Sequence, residues 1–361
     1  MDLIRLGSRG EPVRDVQHRL LGAGLRVDPE ELDGSFGPST EEAVREFQRR
    51  RGLPSDGIVG PDTWNQLVEA GYRVGDRTLY LRSPAFRGDD VLELQRMLNG
   101  LGFDAGKQDG IFGPRLAKAV REFQRNWGAK PDGIVGLDTV RSLQGVRPVA
   151  DGPGRSIVRE TEAAMRMTGS LARSVIAIDP GHGPTDPGVE EGGLVESELT
   201  FAVATALAAE ISRRGGRALV LRRADEDPDV GVRAQRANAA DATVCLSLQV
   251  GGGGIVDEGV VCCYFGSPQT HSPMGMRLAE ALRGSLIEVG LTDGGMRALT
   301  IAILRETRMP AVQIEMGVAA SAADAARMRG DAFASDVAAA VAEGVERFLG
   351  STVPNEVTVA S

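Results

Sequence analysis

Side chains that could bind a metal ion or transfer a proton cluster in short segments of the second half of the chain. They are, in chain order, Asp179 and His182 in IDPGHG, Glu196 and Glu198 in GLVESELT, Gln249 in SLQ, and Glu315 in QIEMG. A histidine and carboxylates from different strand ends are suitable donors for a hydrolytic zinc centre, in which three protein ligands leave a fourth position open to water. A further carboxylate nearby would accept the proton of that water.

The segments that carry these residues alternate between predicted strands and helices. Apolar runs such as SVIAIDPG, TVCLSLQ, GVVCCYF and AVQIEMG predict strands, and SELTFAVATALAAEISRRG predicts an amphipathic helix. This alternation, from about residue 174 onward, predicts an α/β layered domain with a mainly parallel sheet. Parallel strands place their carboxyl ends at one edge, where such sheets bind their ligands. We therefore expect the polar residues above to meet at that edge.

The first half of the chain contains an internal repeat. The segment LDGSFGPSTEEAVREFQRRRGLPSDGIVGPDT recurs as QDGIFGPRLAKAVREFQRNWGAKPDGIVGLDT, so that Asp33 matches Asp109 and Phe47 matches Phe123. In the first copy, apolar spacing predicts helices around residues 13–20, 40–50 and 61–70. The DG turns place glycine where the backbone needs a positive φ. Each copy is therefore predicted to be a small three-helix bundle.

Composition excludes several classes of function. The 361 residues carry 41 Lys and Arg against 50 Asp and Glu, a net charge of −9 with no basic patch, which argues against nucleic-acid binding. The sequence contains no run of about 18 apolar residues, so it predicts no membrane-spanning helix. The three cysteines lie in apolar runs without metal-ligand spacing, which indicates buried reduced thiols.

The repeat closely resembles the type 1 peptidoglycan-binding domain family, through its DG-x-FG…AVREFQ…DGIVG series. The resemblance covers nearly all of residues 5–145. It implies that each bundle binds peptidoglycan or its precursors, although it does not identify individual ligand-binding residues. Two copies would allow avidity for a repeating ligand.

Residues 174–349 resemble the type 3 family of zinc N-acetylmuramoyl-L-alanine amidases. The resemblance rests on DPGHG, on ESELTF, on RAQRAN and on PAVQIEMG. It implies that His182 and Glu196 are zinc ligands and that Glu315 is the catalytic glutamate. Glu198 is expected to be solvated on its helix.

The chain departs from the amidase pattern at the third zinc ligand. The family has the histidine of S-I-H-x-N-A there, and this chain has Gln249, followed by Gly251 in place of the asparagine. A neutral amide is a poor zinc donor compared with imidazole. His271, before a predicted helix, is an alternative source of the missing imidazole. Pro184 replaces a family glycine after DPGHG and is expected to reshape that loop.

Two hypotheses of different classes follow. In the first, the chain is a weak or inactive amidase that binds peptidoglycan or its precursors and regulates wall metabolism through cell-wall synthesis proteins, as similarity to an actinobacterial group of amidase-like proteins implies. In the second, it is an active zinc amidase that cuts the amide between the lactyl group and L-alanine. A simple wall-anchored binder is a third alternative.

The repeat and the change of pattern near residue 174 also predict the domain boundaries. We expect peptidoglycan-binding-like domains at residues 1–73 and 74–146, a linker at 147–173, the amidase-like domain at 174–350 and a disordered tail at 351–361. The start MDLIRLGSRG lacks the charge and apolar pattern of a secretion signal. If Met1 is the true start, the expected location is cytoplasmic.

Overall fold

The computed structural model describes residues 3–146, 170–252, 256–267 and 270–351. By the contacts between its residues, the chain separates into two compact units, Met1–Glu160 and Thr161–Ser361. Most of the predicted linker 147–173 and all but the first residue of the predicted tail 351–361 lie outside the described residues. The described end of that linker contains a short 3-10 helix, Leu171–Arg173, and Leu171 packs into the core of the second unit.

The first unit contains the two predicted helical bundles. Their helices are α1 (Glu11–Gly22), α2 (Pro38–Arg51), α3 (Pro61–Glu69), α4 (Asp89–Gly100), α5 (Pro114–Asn126) and α6 (Leu137–Gln144). The sequence predictions for α2 and α3 agree with these bounds to within two residues. Proline at the first position of both helices suits the helical φ and lacks a donor that would stay unpaired there.

Each bundle ties its second DG turn to its central helix through a buried glutamine. Gln48 Nε2 donates to Asp56 Oδ1 (2.7 Å), and Gln48 Oε1 accepts from the Gly57 N–H (2.9 Å). Gln124 makes the equivalent bonds in the second bundle. Gly57 has a φ of 77°, which supports the prediction that this turn needs glycine.

The second unit is built on a seven-stranded sheet. Its strands in the described residues are β1 (Val175–Pro180), β4 (Arg217–Val220), β5 (Val244–Gly251), β6 (Val260–Ser267), β7 (Thr270–His271), β8 (Asp293–Leu299) and β9 (Ala311–Val318), and β2 (Glu190–Glu191) pairs separately with β3 (Leu194–Val195). The order is β4-β1-β5-β9-β6-β7, with β8 also paired to β6. Strands β4, β1, β5 and β9 are parallel, and β6 runs antiparallel to β9. The predicted mainly parallel sheet is confirmed.

Helices pack on this sheet, and apolar residues of the helices and strands together form the core of the second unit. The helices are α7 (Glu196–Arg213), α8 (Val230–Ala239), α9 (Pro273–Glu288), α10 (Ala302–Glu306), α11 (Ala322–Met328) and α12 (Phe333–Ser351). Apolar residues of α7, α9 and α12 pack in one cluster with those of β1, β5 and β9. None of the helices in the described ranges is long and apolar enough to cross a membrane. All three cysteines are buried, and none of them forms a disulfide bond.

Strand register explains why polar side chains gather at one place. Asp179 of β1 pairs with Ser247 of β5, and Gln249 of β5 pairs with Glu315 of β9. Register partners in a parallel sheet point to the same face, and residues two apart on one strand share a face as well. These four polar side chains therefore form a row on one face, at the carboxyl edge of the parallel strands.

Candidate metal centre and active site

His182 lies in the turn that follows β1, with a left-handed backbone (φ 56°). Its Nδ1 is 2.9 Å from Asp186 Oδ2, and because a carboxylate can only accept, Nδ1 donates in this contact. The Nε2 atom faces Glu196 Oε2 at 3.4 Å. In metal sites, a histidine ligand is commonly oriented by a hydrogen bond from its other ring nitrogen to a carboxylate, as between His182 Nδ1 and Asp186.

Glu196 is the first residue of α7 and is almost completely buried. Its two oxygens accept from the backbone N–H groups of Val250 (2.7 Å) and Val189 (2.9 Å). Burial raises the pKa of Glu196, while the His182 ring and the two N–H donors oppose that rise. The carboxylate is therefore fixed in position by the strand β5 and by the loop before its own helix.

Glu315 is the second buried carboxylate of the site, with 8% of its surface exposed. Burial raises its pKa to about 7, and the charge of Glu196 adds to this rise. A hydrogen bond with Gln313 and the charge of Arg297 oppose it. A carboxyl group that titrates near neutral pH suits a residue that accepts and returns a proton.

Gln249 is bonded into a polar network beneath the site. Its Nε2 donates to Ser247 Oγ (3.3 Å), and Ser247 Oγ donates to Asp179 Oδ2 (2.8 Å). Its amide lies against Gly181, where a Cβ atom would collide with the amide. Asp179 is completely buried, and burial raises its pKa against the opposing charge of Arg233, whose Nη1 is 3.3 Å away.

Arg222, which follows β4, was not identified from the sequence. Its guanidinium is buried and donates to the backbone oxygens of Pro180 (3.1 Å), Gly181 (3.3 Å) and Ser197 (3.0 Å). These bonds join the turn that carries His182 to the first turn of the helix that carries Glu196. Arg222 reaches both segments from a third one, and an arginine after a strand gives no local sequence pattern that would reveal such contacts.

The donors present do not fit a complete zinc centre. Two ligands at tetrahedral zinc stand about 3.4 Å apart, and His182 Nε2 and Glu196 Oε2 match that separation. Gln249 stands where the resemblance to the amidases leads us to expect the third ligand, and its amide nitrogen donates to Ser247. Over the residues that the structure describes, no three His, Cys, Asp or Glu side chains form a group that could hold a metal ion.

His271 cannot supply the missing imidazole. It pairs with Gly266 near the end of β6, whereas Val261 near the start of β6 pairs with Glu315. Five residues along a strand span about 17 Å. His271 therefore lies at the opposite edge of the sheet, and the alternative raised by its sequence position is wrong. Glu198 is exposed on α7, as expected.

Three further positions compared with the amidase pattern are Arg233, Asn238 and Pro184, and each lies in a segment that hydrogen bonds hold in place. Arg233 Nη1 donates to Pro180 O (3.0 Å), in addition to its ion pair with Asp179. Asn238 Nδ2 donates to Glu306 O (2.9 Å), so it joins α8 to α10 rather than facing the site. After Gly183, the turn that contains Pro184 is held by Thr185, whose N–H donates to Asp227 Oδ2 (3.2 Å).

Comparison with known proteins agrees with this architecture. Residues 176–347 match the family model of N-acetylmuramoyl-L-alanine amidases, and residues 9–67 and 87–143 match that of a peptidoglycan binding domain. The fold is therefore an amidase-type α/β domain that follows two peptidoglycan-binding domains.

The chain belongs to the N-acetylmuramoyl-L-alanine amidase family. It is 33% identical to N-acetylmuramoyl-L-alanine amidase CwlM of Mycobacterium tuberculosis, over 95% of this chain and 88% of that protein. It is also 33% identical to the amidase CwlL of Bacillus licheniformis, over 39% of this chain and 45% of that protein. Among solved structures, AmiC2 of Nostoc punctiforme is 26% identical, with a TM-score of 0.45 over 50% of this chain and 98% of that one.

Proposed function

We propose that this protein binds peptidoglycan or its precursors and regulates wall metabolism, with weak or no amidase activity of its own. The observation that carries the proposal is Gln249. It stands where the family pattern has the third zinc ligand, and the hydrogen bond from its amide nitrogen to Ser247 supports a role other than metal binding. The two peptidoglycan-binding domains keep the means of binding, while the site has lost a donor needed for cutting.

The magnitude of this loss supports binding over catalysis. Even substitutions of residues that only hydrogen-bond to a metal ligand typically lower the metal affinity or the activity by 10–100-fold. Loss of a direct ligand is expected to cost at least about 100-fold, or about 3 kcal/mol. An amide oxygen would recover little of this, because neutral amide donors suit hard cations rather than zinc.

The remaining polar groups suit recognition of an uncut ligand. His182 presents Nε2, Gln249 is only partly buried, and Glu315 can hold a proton near neutral pH. Peptide groups of a stem peptide offer donors and acceptors that match these side chains. In this proposal the pocket orients such a ligand and leaves its amide bond intact.

An active zinc amidase is the second candidate, and one observation favours it. The spacing of His182 Nε2 and Glu196 Oε2 is that of two zinc ligands, with Asp186 supporting the imidazole. In that case His182 and Glu196 would hold zinc, which supplies an activated water when bound, and Glu315 would accept a proton. The third donor would have to come from Gln249 or from solvent.

Incubation with purified cell-wall sacculi separates the two candidates. We expect the full-length protein to co-sediment with sacculi, or to bind soluble precursors, without releasing new N-terminal alanine. Glu315→Gln serves as a matched control, because release from the wild type that this variant lacks would show hydrolysis through the site. Such release would overturn the proposal in favour of the active enzyme.

Two finer parts of the proposal come from the sequence alone. One is a cytoplasmic location, which cell fractionation tests. The other is a set of protein partners in wall synthesis, which co-purification with this protein tests. Release of the protein when the wall of intact cells is digested and the membrane stays sealed would contradict the first.

A further inference from the structure

Four side chains of the amidase-type site present hydrogen-bond acceptors. We call them the acceptor cluster, and its members are His182, Glu196, Gln249 and Glu315. Two members are carboxylates, and an ionised carboxylate can only accept. Gln249 donates from Nε2 to Ser247, so the other end of its amide is the acceptor Oε1. His182 donates from Nδ1 to Asp186, so in the neutral ring its Nε2 is an acceptor as well.

Two of these acceptors face each other directly. His182 Nε2 is 3.4 Å from Glu196 Oε2. Two acceptors cannot bond to each other, whereas a charged N–H donor about 2.8 Å from both atoms would satisfy them together. This pair of atoms therefore suits a ligand that brings its own donors.

Glu315 adds a second buried carboxylate beside Glu196. Gln249 pairs with Glu315 in the sheet, and the next residue, Val250, donates its N–H to Glu196 (2.7 Å). Glu196 is 1% exposed and Glu315 is 8% exposed. A carboxylate has about four acceptor positions, and a hydrogen bond with Gln313 uses one of those on Glu315. Because like charges destabilise each other at a shared site, a cation that contacts both carboxylates would stabilise the pair.

The arginines around the cluster have other partners. Arg297 is the cation whose charge acts on Glu315, but its side chain is exposed and its Nη1 donates to a backbone oxygen of its own strand (2.9 Å). Arg222 and Arg233 both donate to the backbone oxygen of Pro180. These three cations are therefore not aimed between the two glutamates, and a ligand can supply the positive charge.

The backbone approaches the acceptor cluster closely at two glycines. A Cβ atom at Gly188 would lie 2.5 Å from Glu196 Oε2, and one at Gly181 would collide with the Gln249 amide. The accessible side is formed by His182, whose side chain is 31% exposed, and by the partly buried Gln249. Such close backbone favours a compact cation, and an ammonium is more compact than a guanidinium.

The surrounding charge also favours a cationic ligand. Residues 170–361 carry 25 Asp and Glu against 16 Lys and Arg, and Asp186, Glu190 and Glu191 are exposed in the segment that leads to Glu196. A field of one sign raises the local concentration of oppositely charged ligands. A metal ion fits less well, because in the described part of the chain no three His, Cys, Asp or Glu side chains form a suitable group.

We propose that the acceptor cluster binds a primary ammonium group, and that this group is the free side-chain amine of an uncross-linked stem peptide. The second part rests on the precursor binding proposed above. The stem peptide of peptidoglycan contains a diamino acid, whose side-chain amine is free in precursors and becomes an amide where a cross-link forms on it. An ammonium has a charge and three N–H donors for the cluster, whereas that amide has one N–H and no charge. The site thereby favours precursors, which agrees with the expected cytoplasmic location.

Ammonium binding is tested without any peptidoglycan ligand, by NMR of the histidine rings in the full-length protein with a chelator present. The chain has three histidines, and the variants His18→Gln and His271→Gln identify the His182 signals by difference. The titration is made at pH 8, where an alkyl amine with a pKa of about 10.4 keeps its proton. We expect n-propylammonium to shift the His182 signals. Tetramethylammonium, which has the same charge and no N–H donor, should leave them unchanged.

Two variants show which carboxylate acts. Glu315→Gln should weaken the response to n-propylammonium at least about 10-fold, because it replaces a charged acceptor by a neutral amide. Glu198→Gln is the matched control, because it neutralises an exposed carboxylate on the same helix as Glu196. No shift of His182, an equal shift with tetramethylammonium, or an unchanged response in Glu315→Gln would overturn the proposal. So would a response to magnesium or calcium at lower concentration in a chelator-free titration, which would show a metal site.

The stem-peptide assignment is tested with the soluble nucleotide-linked muramoyl pentapeptide and the same molecule acetylated on its side-chain amine. By isothermal titration calorimetry, we expect acetylation to weaken binding at least about 10-fold in the wild type and in Glu198→Gln, and much less in Glu315→Gln. Free lysine, as a simple amine, should bind at least about 10-fold more weakly than the pentapeptide precursor.

Equal binding of the two precursor forms, or lysine binding as tightly as the precursor, would overturn the assignment to a stem peptide. Absence of binding to both precursor forms would contradict the proposed function and, with it, this second part. The titration with n-propylammonium would still decide whether the acceptor cluster binds an ammonium group.

Discussion

At the scale of single residues, Gln249 differs from the expected histidine in its bonding as well as in its donor atom. An imidazole at this position could present a nitrogen to zinc, whereas the Gln249 amide donates to Ser247, which in turn donates to the buried Asp179. The substitution is visible directly in the sequence motif. The network could not be foreseen, because its members lie on different strands and their register becomes known only from the sheet.

Gln249→His should restore zinc binding. The new imidazole would complete a three-ligand set with His182 and Glu196, whose spacing already suits zinc. We expect zinc affinity at least about 100-fold higher than in the wild type, measured by competition with a chromophoric chelator. Gln249→Ala is the control, because it removes the amide without adding a donor. Equal affinities of the two variants would contradict the assignment of this position.

The pH dependence of stability should report on Glu315. Its pKa is raised from 4.5 to about 7, so the folded chain holds the proton more tightly than the unfolded chain. The resulting stabilisation is complete below pH 4.5 and is lost as the pH rises through 7. The shift corresponds to at most about 3 kcal/mol.

Urea unfolding in the presence of a chelator, from roughly pH 5 to pH 8, measures this loss. Glu315→Gln should be less sensitive to pH than the wild type, because its amide stays neutral and similar in shape. Glu196 titrates in the same direction, so the difference between the two proteins is the informative quantity. Identical slopes would show that Glu315 is not raised as described.

At the scale of secondary structure elements, strand ends position the site. The sequence predicts that His182, Gln249 and Glu315 lie at the carboxyl ends of parallel strands, and the structure brings them to one edge. The antiparallel direction of β6 beside β9 could not be foreseen, because an apolar strand carries no signal of its direction. That reversal is what takes His271 to the far edge.

The packing of α12 on α9 should depend on Gly344. A Cβ atom there would lie 2.8 Å from the Leu282 Cα atom, and a backbone atom cannot rotate away. We expect Gly344→Ala to lower the free energy of unfolding by about 1–3 kcal/mol, measured by urea denaturation.

Gly350→Ala is the matched control in the same helix. No atom lies within 4 Å of a Cβ at Gly350, so alanine should leave stability unchanged or raise it by up to about 1 kcal/mol. Equal effects of the two substitutions would show that the helices do not approach as closely as the structure indicates.

At the scale of the full chain, the order of the parts could be predicted from the sequence. The repeat indicated two bundles, and the strand and helix alternation indicated an α/β domain, because both patterns are local and periodic. The junction between the bundles could not be predicted. Arg51 and Asp89 are far apart in the chain, and their pairing is visible only once α2 and α4 are placed.

The chain keeps its peptidoglycan-binding domains while its amidase site lacks a donor. These two features are independent, since each bundle and the amidase-type domain has its own core. Binding and cutting can therefore be measured separately in the same full-length protein.

The zinc content of the full-length protein is the sharpest test of the proposed loss of the metal site. The protein would be purified without chelator, dialysed, and measured by inductively coupled plasma mass spectrometry beside Gln249→His. We predict far less than one zinc per chain in the wild type and close to one in Gln249→His. About one firmly held zinc per wild-type chain would contradict the claim that two donors and an amide cannot retain the metal.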